Sequence, residues 1–364
     1  MVQFGTSNAI LTVNLSALEK NYRLLQKQVG APVTVAGIIK ADGYGLGAKP
    51  VCETLKNNGC KNFFVATLDE ALAIRQFNTD NTLAVFGGLM QGCEDIYHEH
   101  NILPVLNSPI DIENWSNYAQ KHGQKLDAML HFDTGMNRLG LSHGEWLAIK
   151  ENGCLDALNI VTILSHFASA DDQDQTLTKN QAKRFAKIAQ DFPKAQISLA
   201  NSSGIFRDAI YHYDMVRPGY ALYGGNPTPE TINPMQNVVS LEARILQIRD
   251  CKKGDTIGYG ASHIFKENTH TATVALGYDD GFFRATNKNA KLYYKSQPCP
   301  VIGRVSMDAV TIDISHLIDK SPKQGEAVEI LGDNQTIDDL ARSAATIGYE
   351  ILTSLGTRYK RIYI

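Results

Sequence analysis

The chain has 364 residues, 43% hydrophobic and 20% charged, a globular composition that excludes a disordered or fibrous protein. Its formal net charge of -3 gives no basic field for nucleic acid or an anionic membrane surface. Six scattered cysteines (Cys52, Cys60, Cys93, Cys154, Cys251 and Cys299) form no CxxC pair, which points to a reducing cytoplasm; no metal site, membrane span or signal peptide is expected.

A short strand is predicted over 10–13. An amphipathic helix follows it, because Leu15, Leu18, Tyr22 and Leu25 recur at helical spacing behind Asn14 and Ser16, which suit a cap. Apolar runs of strand length then come in series at 35–39, 63–66, 83–86, 103–106, 126–132, 160–164, 197–200 and 214–216. Helix-compatible segments lie between most of them, at 48–58, from about 69, and at 176–190. Short apolar strands alternating with helices imply a parallel sheet buried on both faces, hence an α/β fold. The number and spacing suit a (β/α)8 TIM-type barrel. A doubly wound open sheet is the alternative, although no GxGxxG follows Ile39. Past about residue 235 the texture changes. Short strands at 238–245, 256–259, 271–276, 301–302, 309–312 and 327–330 precede a single clear helical stretch near 337–346. The expected division is a barrel at 1–232, with the strand near 8–13 free to join the second part, and a mostly β domain at 233–364.

The chemistry-bearing residues fall where the barrel runs stop. Lys40 ends the first run and opens Ala41-Asp42-Gly43-Tyr44-Gly45, so a strand of small and β-branched residues aims an amine out of a packed core. Burial disfavours the ammonium, and a neutral amine is what Schiff-base chemistry on pyridoxal phosphate requires. A surface lysine at a strand end is the plainer reading of Lys40 alone. Later runs end in His131-Phe-Asp-Thr-Gly-Met-Asn-Arg138, in Ser165-His166, in Ala200-Asn201-Ser202-Ser203-Gly204, and in Arg217-Pro218-Gly219-Tyr220. A barrel carries its chemistry at this end of its strands, and its last two loops commonly take phosphate. Asn-Ser-Ser-Gly supplies hydroxyls, and Gly219 leaves its backbone N–H unobstructed. No P-loop occurs, so a nucleoside triphosphate is not indicated.

Together with Gly258-Tyr259-Gly260, Gly277-Tyr-Asp-Asp-Gly, Gly303-Arg-Val-Ser-Met-Asp and Thr346-Ile-Gly-Tyr-Glu, these strings closely resemble the alanine racemase family, in the family's order and over nearly the whole chain. The resemblance implies a pyridoxal-phosphate-binding barrel, a β domain, and a head-to-tail homodimer whose active site is shared between subunits. Lys40 matches the lysine that bonds the cofactor and serves as one of two bases, and Tyr259 matches the opposing base, from the other subunit. Tyr44, Ser202, Gly219, Tyr220 and Tyr349 match phosphate contacts, with Asn201 beside them among the cofactor-binding residues. His166 matches a histidine packed beside the cofactor, and Arg217 an arginine facing its pyridine nitrogen. Arg138 matches the arginine near the cofactor's phenolic oxygen and the substrate carboxylate. Met307 matches a main-chain contact to that carboxylate, and Tyr278 and Arg304 match residues lining the entrance. The implied activity is interconversion of L- and D-alanine, and the implied role is D-alanine for the bacterial cell wall.

The residue types fit that chemistry. Two fixed bases, one per face, move a proton across the substrate without moving themselves, and both lysine and tyrosine must be tuned below their usual values near pH 10 to do so. A charged guanidinium at the pyridine nitrogen leaves that nitrogen unprotonated and limits misplaced protonation. The chain departs from the family at one point: two residues before Asp133, where the family often has a lysine that becomes carbamylated, it has His131. No modified lysine is expected there; an imidazole accepting from Arg138, or a bound anion, would take its place. Other readings are a related racemase of serine or broader specificity, a non-catalytic pyridoxal-phosphate-holding barrel, and a decarboxylase on the same fold. The decarboxylase would want a reactive cysteine near the end of the chain, where none lies beyond Cys299.

Overall fold

A computed structural model describes residues 4–286, 289–317 and 322–364. The described chain divides into two compact units, one of residues 18–222 and 226–236, the other of 1–17, 223–225 and 237–364.

The first unit is built on one parallel sheet. Its strands are Asn62–Val65, Thr82–Val85, Leu103–Leu106, Leu126–His131, Leu158–Leu164, Gln196–Ser198 and Met215–Val216, with the run at 34–38 split into Thr34–Val35 and Gly37–Ile38. The split explains the closure. Thr34–Val35 pairs with Met215–Val216 at one end of the sheet, and Gly37–Ile38 pairs with Asn62–Val65 at the other. Ala36 between them donates to Val216 O at 3.0 Å, so one run stitches both edges into a ring. No edge is left open, the arrangement expected of an eight-stranded barrel with the first strand bent between two partners. Its residues are buried on both faces, Phe63, Phe64, Leu83, Ala84, Val105, Leu130 and Ile163 being fully enclosed. Helices Leu15–Val29, Ala48–Asn57, Leu68–Arg75, Pro109–Lys121, His143–Asn152 and Thr176–Ala189 alternate with the strands. Helix Leu68–Arg75 starts with a capping box between Thr67 and Glu70, and helix His143–Asn152 with one between Ser142 and Glu145.

The second unit is mostly β. Strand Val239–Cys251 pairs antiparallel with Ala9–Val13, Ala327–Leu331 and Thr269–Val274. It runs six residues past the predicted end at 245, passes from Ala327–Leu331 to Thr269–Val274 after Arg244, and carries a bulge between Ile245 and Gln247. Strand Ala9–Val13 also lies parallel to Lys360–Tyr363, so the two ends of the chain meet in one sheet. Strands Lys291–Tyr294 and Lys360–Tyr363 are additions to the predicted set. The strand expected over 256–259 stops at Ile257; residues Tyr259–Ala261 form a 3-10 turn. Gly258 and Gly260 take φ of +74° and +71°, which bend the chain out of extended structure.

Candidate active site

The barrel's strands deliver their C-terminal ends to one mouth, and each predicted barrel residue sits there. Lys40 follows the second half of the split strand. The chain then turns left-handed: Ala41, Asp42, Gly43 and Tyr44 have φ of 53°, 52°, 61° and 55°. Such a turn costs about 1–2 kcal/mol for each residue bearing a Cβ. It is held from outside the motif. Glu70 Oε1 accepts the Ala41 N–H at 2.6 Å, and Asp42 Oδ1 accepts the Ala48 N–H at 2.7 Å. The half-buried Lys40 ammonium is held below its usual range, first by loss of water and then by the Arg138 cation, against a smaller opposing pull from Glu70.

His131 ends strand Leu126–His131, where Nδ1 lies 2.7 Å from Asn107 Oδ1. Burial, with the charges of Arg217 and Arg138, pushes its imidazole down to about 4. Past it, one oxygen of Asp133 accepts the N–H groups of Gly135, Met136 and Asn137 at 2.8, 2.9 and 3.1 Å, which shapes the loop that ends on the exposed Arg138. After the next strand come Ser165 and His166. Ser165 Oγ pairs with Thr134 Oγ1 at 2.7 Å. Gln181, from helix Thr176–Ala189, donates to His166 O and accepts from Ala168 N, both at 2.9 Å. Desolvation holds the His166 imidazole well below its usual range, and the charges of Arg217, Arg138, His131 and Lys40 all add to this. One imidazole therefore feels four of the other predicted residues at once.

The last two loops form a cradle. Asn201 Oδ1 accepts the Gly204 N–H at 3.0 Å as the cap of the short helix Ser202–Arg207. Ser202 Oγ accepts the N–H groups of Gly219 and Ala221, each at 3.1 Å. Gly219 lets Tyr44 approach closely, because a Cβ there would lie 2.2 Å from Tyr44 Oη and would push the phenol aside. Tyr44, Ser202 and Tyr220 are buried around it. Arg217 is buried too. Its Nη1 donates to Ser198 Oγ and its Nη2 to Ser165 O, while Nε has no hydrogen-bond partner. Burial pushes this guanidinium down to about 9, so it stays charged at neutral pH.

Tyr259, Tyr278, Arg304, Met307 and Tyr349 belong to the second unit. The first four stand exposed, Tyr259 at 71%. Arg304 lies against both glycines of the Tyr259 turn: a Cβ on Gly258 would meet its backbone N at 3.4 Å, and one on Gly260 its guanidinium at 3.2 Å. Tyr278 N donates to Ser306 O at 3.1 Å and Asp279 N to Met307 O at 3.2 Å, so the Tyr278 turn and the Met307 loop are one assembly. Tyr349 is the second residue of helix Gly348–Thr353 and is exposed as well. Sequence reasoning missed Glu70, Asn107 and Gln181. Only Glu70 has a local signature, the capping-box spacing Thr67-Leu-Asp-Glu70.

Such a site, a desolvated lysine and clustered cations at the mouth of an α/β barrel, defines a carbonyl-cofactor class of enzyme. The groups fit pyridoxal phosphate: an amine low in proton affinity, a buried guanidinium with a bare Nε, and a hydroxyl-and-amide cradle closed tightly around Gly219. The alanine racemase N-terminal domain family matches residues 13–227, and the alanine racemase C-terminal domain family matches residues 238–363. The chain is 40% identical to an alanine racemase of Brucella abortus, over 98% of this chain and 94% of that protein. It is 42% identical to one of Rhodospirillum rubrum, over 98% and 96% respectively. A crystal structure of alanine racemase from Bartonella henselae with covalently bound pyridoxal phosphate superposes with a TM-score of 0.94 at 36% identity, covering 98% of this chain and all (100%) of that one. The chain belongs to the alanine racemase family.

Proposed function

We propose that this chain interconverts L- and D-alanine with pyridoxal phosphate, in the cytoplasm, as a homodimer that supplies D-alanine for the cell wall. The observation that carries the reading is the buried Arg217, whose Nε is bare among the cations that surround His166. An unsatisfied buried donor is costly unless a ligand completes it.

Lys40 Nζ would hold the cofactor covalently. Tyr44, Asn201, Ser202, Gly219, Tyr220 and Tyr349 would hold its phosphate, His166 would pack beside its ring, and Arg217 Nε would face the ring nitrogen. Bound there, pyridoxal phosphate supplies an electron sink for the carbanion at the substrate's α-carbon. Arg138 and the main chain of Met307 bind the substrate carboxylate. Lys40 Nζ moves the α-proton on one face, and Tyr259 Oη of the partner subunit moves it on the other. The low proton affinity that burial and Arg138 impose on Lys40 suits it to take that proton near neutral pH. Tyr278 and Arg304 line the way in. Support for the shared site comes from the exposure of Tyr259, Tyr278, Arg304 and Met307 on a unit that holds none of the barrel's groups.

The test is direct. Protein loaded with pyridoxal phosphate should turn yellow. Borohydride should fix the label on Lys40, and a chirality assay should show L-alanine converted to D-alanine. A colourless protein, or a label on another lysine, contradicts the proposal.

A further inference from the structure

Asn107 follows strand Leu103–Leu106, whose neighbour in the sheet is the strand that ends in His131. Asn107 Nδ2 donates to Phe86 O at 2.9 Å. A carbonyl oxygen only accepts, so that end of the amide is the NH2 group and the other end is the oxygen. Oδ1 stands 2.7 Å from His131 Nδ1. An amide oxygen also only accepts, so Nδ1 carries the proton. The ring is neutral at working pH, and Nε2 is therefore left with a lone pair.

The amide has little freedom to turn over. Asp111 Oδ2 accepts the Asn107 backbone N–H at 2.9 Å, and Asp111 is itself fixed at the start of helix Pro109–Lys121 by the Ser108 cap. A Cβ at Gly88 would lie 3.0 Å from Asp111 Oδ2 and 3.1 Å from Asn107 Nδ2, so the space behind the pair is closed. Arg217, Arg138 and Asp133 are the charged groups that act on the ring. Arg217 already donates to Ser198 and Ser165. Asp133 is occupied by backbone N–H groups. Among the described residues the Arg138 guanidinium donates no hydrogen bond, and it is one of the two cations whose charge reaches the His131 ring.

We propose that Asn107 is a positioning residue that locks His131 as the Nδ1–H tautomer, and that the bare Nε2 is the acceptor that orients Arg138. A neutral acceptor fixes the guanidinium without neutralising it, so its full charge remains for a substrate carboxylate. The tautomer stands on the hydrogen bonds alone; the role of Arg138 rests on the functional reading above.

The experiment begins with protein labelled at histidine with 15N, the His131 signals being assigned by their loss in His131→Leu. Between about pH 6 and pH 9, Nδ1 should show the shift of a protonated nitrogen and Nε2 that of a bare one. A protonated Nε2 in that range overturns the lock. Asn107→Leu should then raise the KM for alanine about tenfold, the loss of one oriented hydrogen bond, with little change in kcat. Combined with Arg138→Ala it should add almost nothing to the effect of Arg138→Ala alone. Additive effects overturn the link to Arg138. If Asn107→Leu does not fold, His131→Leu removes the same acceptor and should give the same KM rise and the same non-additivity. Wild-type protein that shows the tautomer but does not turn over alanine overturns the functional reading and leaves the lock standing.

Discussion

Lys40 owes its chemistry to residues on both sides of it. Ahead of it lies a packed strand; behind it a left-handed turn is held open by Glu70, and the two together strip water from the amine. The motif from Lys40 to Gly47 was legible in the sequence. Its support was not, because Glu70 lies on another element and nothing local ties the two together. The same holds for His131, visible at a run's end while its partner Asn107 stands 24 positions earlier. Gly219 tests the cradle: Gly219→Ala pushes its Cβ into Tyr44 Oη, and since that is the far end of a side chain the fold should survive while pyridoxal phosphate is held more loosely. Equilibrium dialysis should show at least about a tenfold weaker affinity, the loss of one charge-assisted hydrogen bond. Arg217→Glu should raise transamination relative to racemisation, read as pyruvate formed per turnover; an unchanged ratio counts against the assigned role of Arg217. His131 also sets a pH dependence. Its imidazole is depressed from 6.5 to about 4 in the folded chain, so the unfolded chain binds the proton first. Stability is therefore full above pH 6.5 and is lost as pH falls towards 4, by roughly 3 kcal/mol for this group. A thermal-unfolding series from pH 7 to pH 4 should show a shallower fall for His131→Gln than for the wild type.

The alternation of strands and helices was readable at the level of elements, because parallel strands buried on both faces are continuous apolar runs and stand out against amphipathic helices. Boundaries were less so. The run at 35–39 reads as one strand, yet Ala36 bends it between two partners, a tertiary demand without a sequence mark. Residues 256–259 read as strand because tyrosine and isoleucine favour strands; the flanking glycines and the packing of Arg304 against them decide otherwise. Arg358 braces the neighbouring assembly. Its guanidinium grips both oxygens of the buried Asp280 at 2.8 and 2.7 Å and also binds Asp308, which joins the Tyr278 turn to the Met307 loop. Arg358→Met leaves Asp280 without its partner and should cost roughly 2 kcal/mol in thermal unfolding. On the proposal that Met307 and Tyr278 serve the substrate carboxylate and the entrance, it should also raise the KM for alanine more than it lowers kcat.

The first strand, Ala9–Val13, lies in the sheet of the second unit beside the last, so residues 350 positions apart, such as Ile10 and Lys360, are paired there. No helix among the described residues is long and apolar enough to cross a membrane. The functional reading divides one reaction between two chains: the barrel supplies the amine, and the β unit of a neighbour supplies the phenol. Mixing two inactive variants tests this most directly. Lys40→Ala and Tyr259→Phe are purified separately, mixed, unfolded together and refolded, or co-expressed. Each hybrid dimer then has one site with both changes and one with neither. Random pairing makes about half the dimers hybrids, so about a quarter of wild-type alanine racemisation should return. If the mixture stays as inactive as its parents while hybrid dimers are demonstrably present, Lys40 and Tyr259 of different subunits do not share a site.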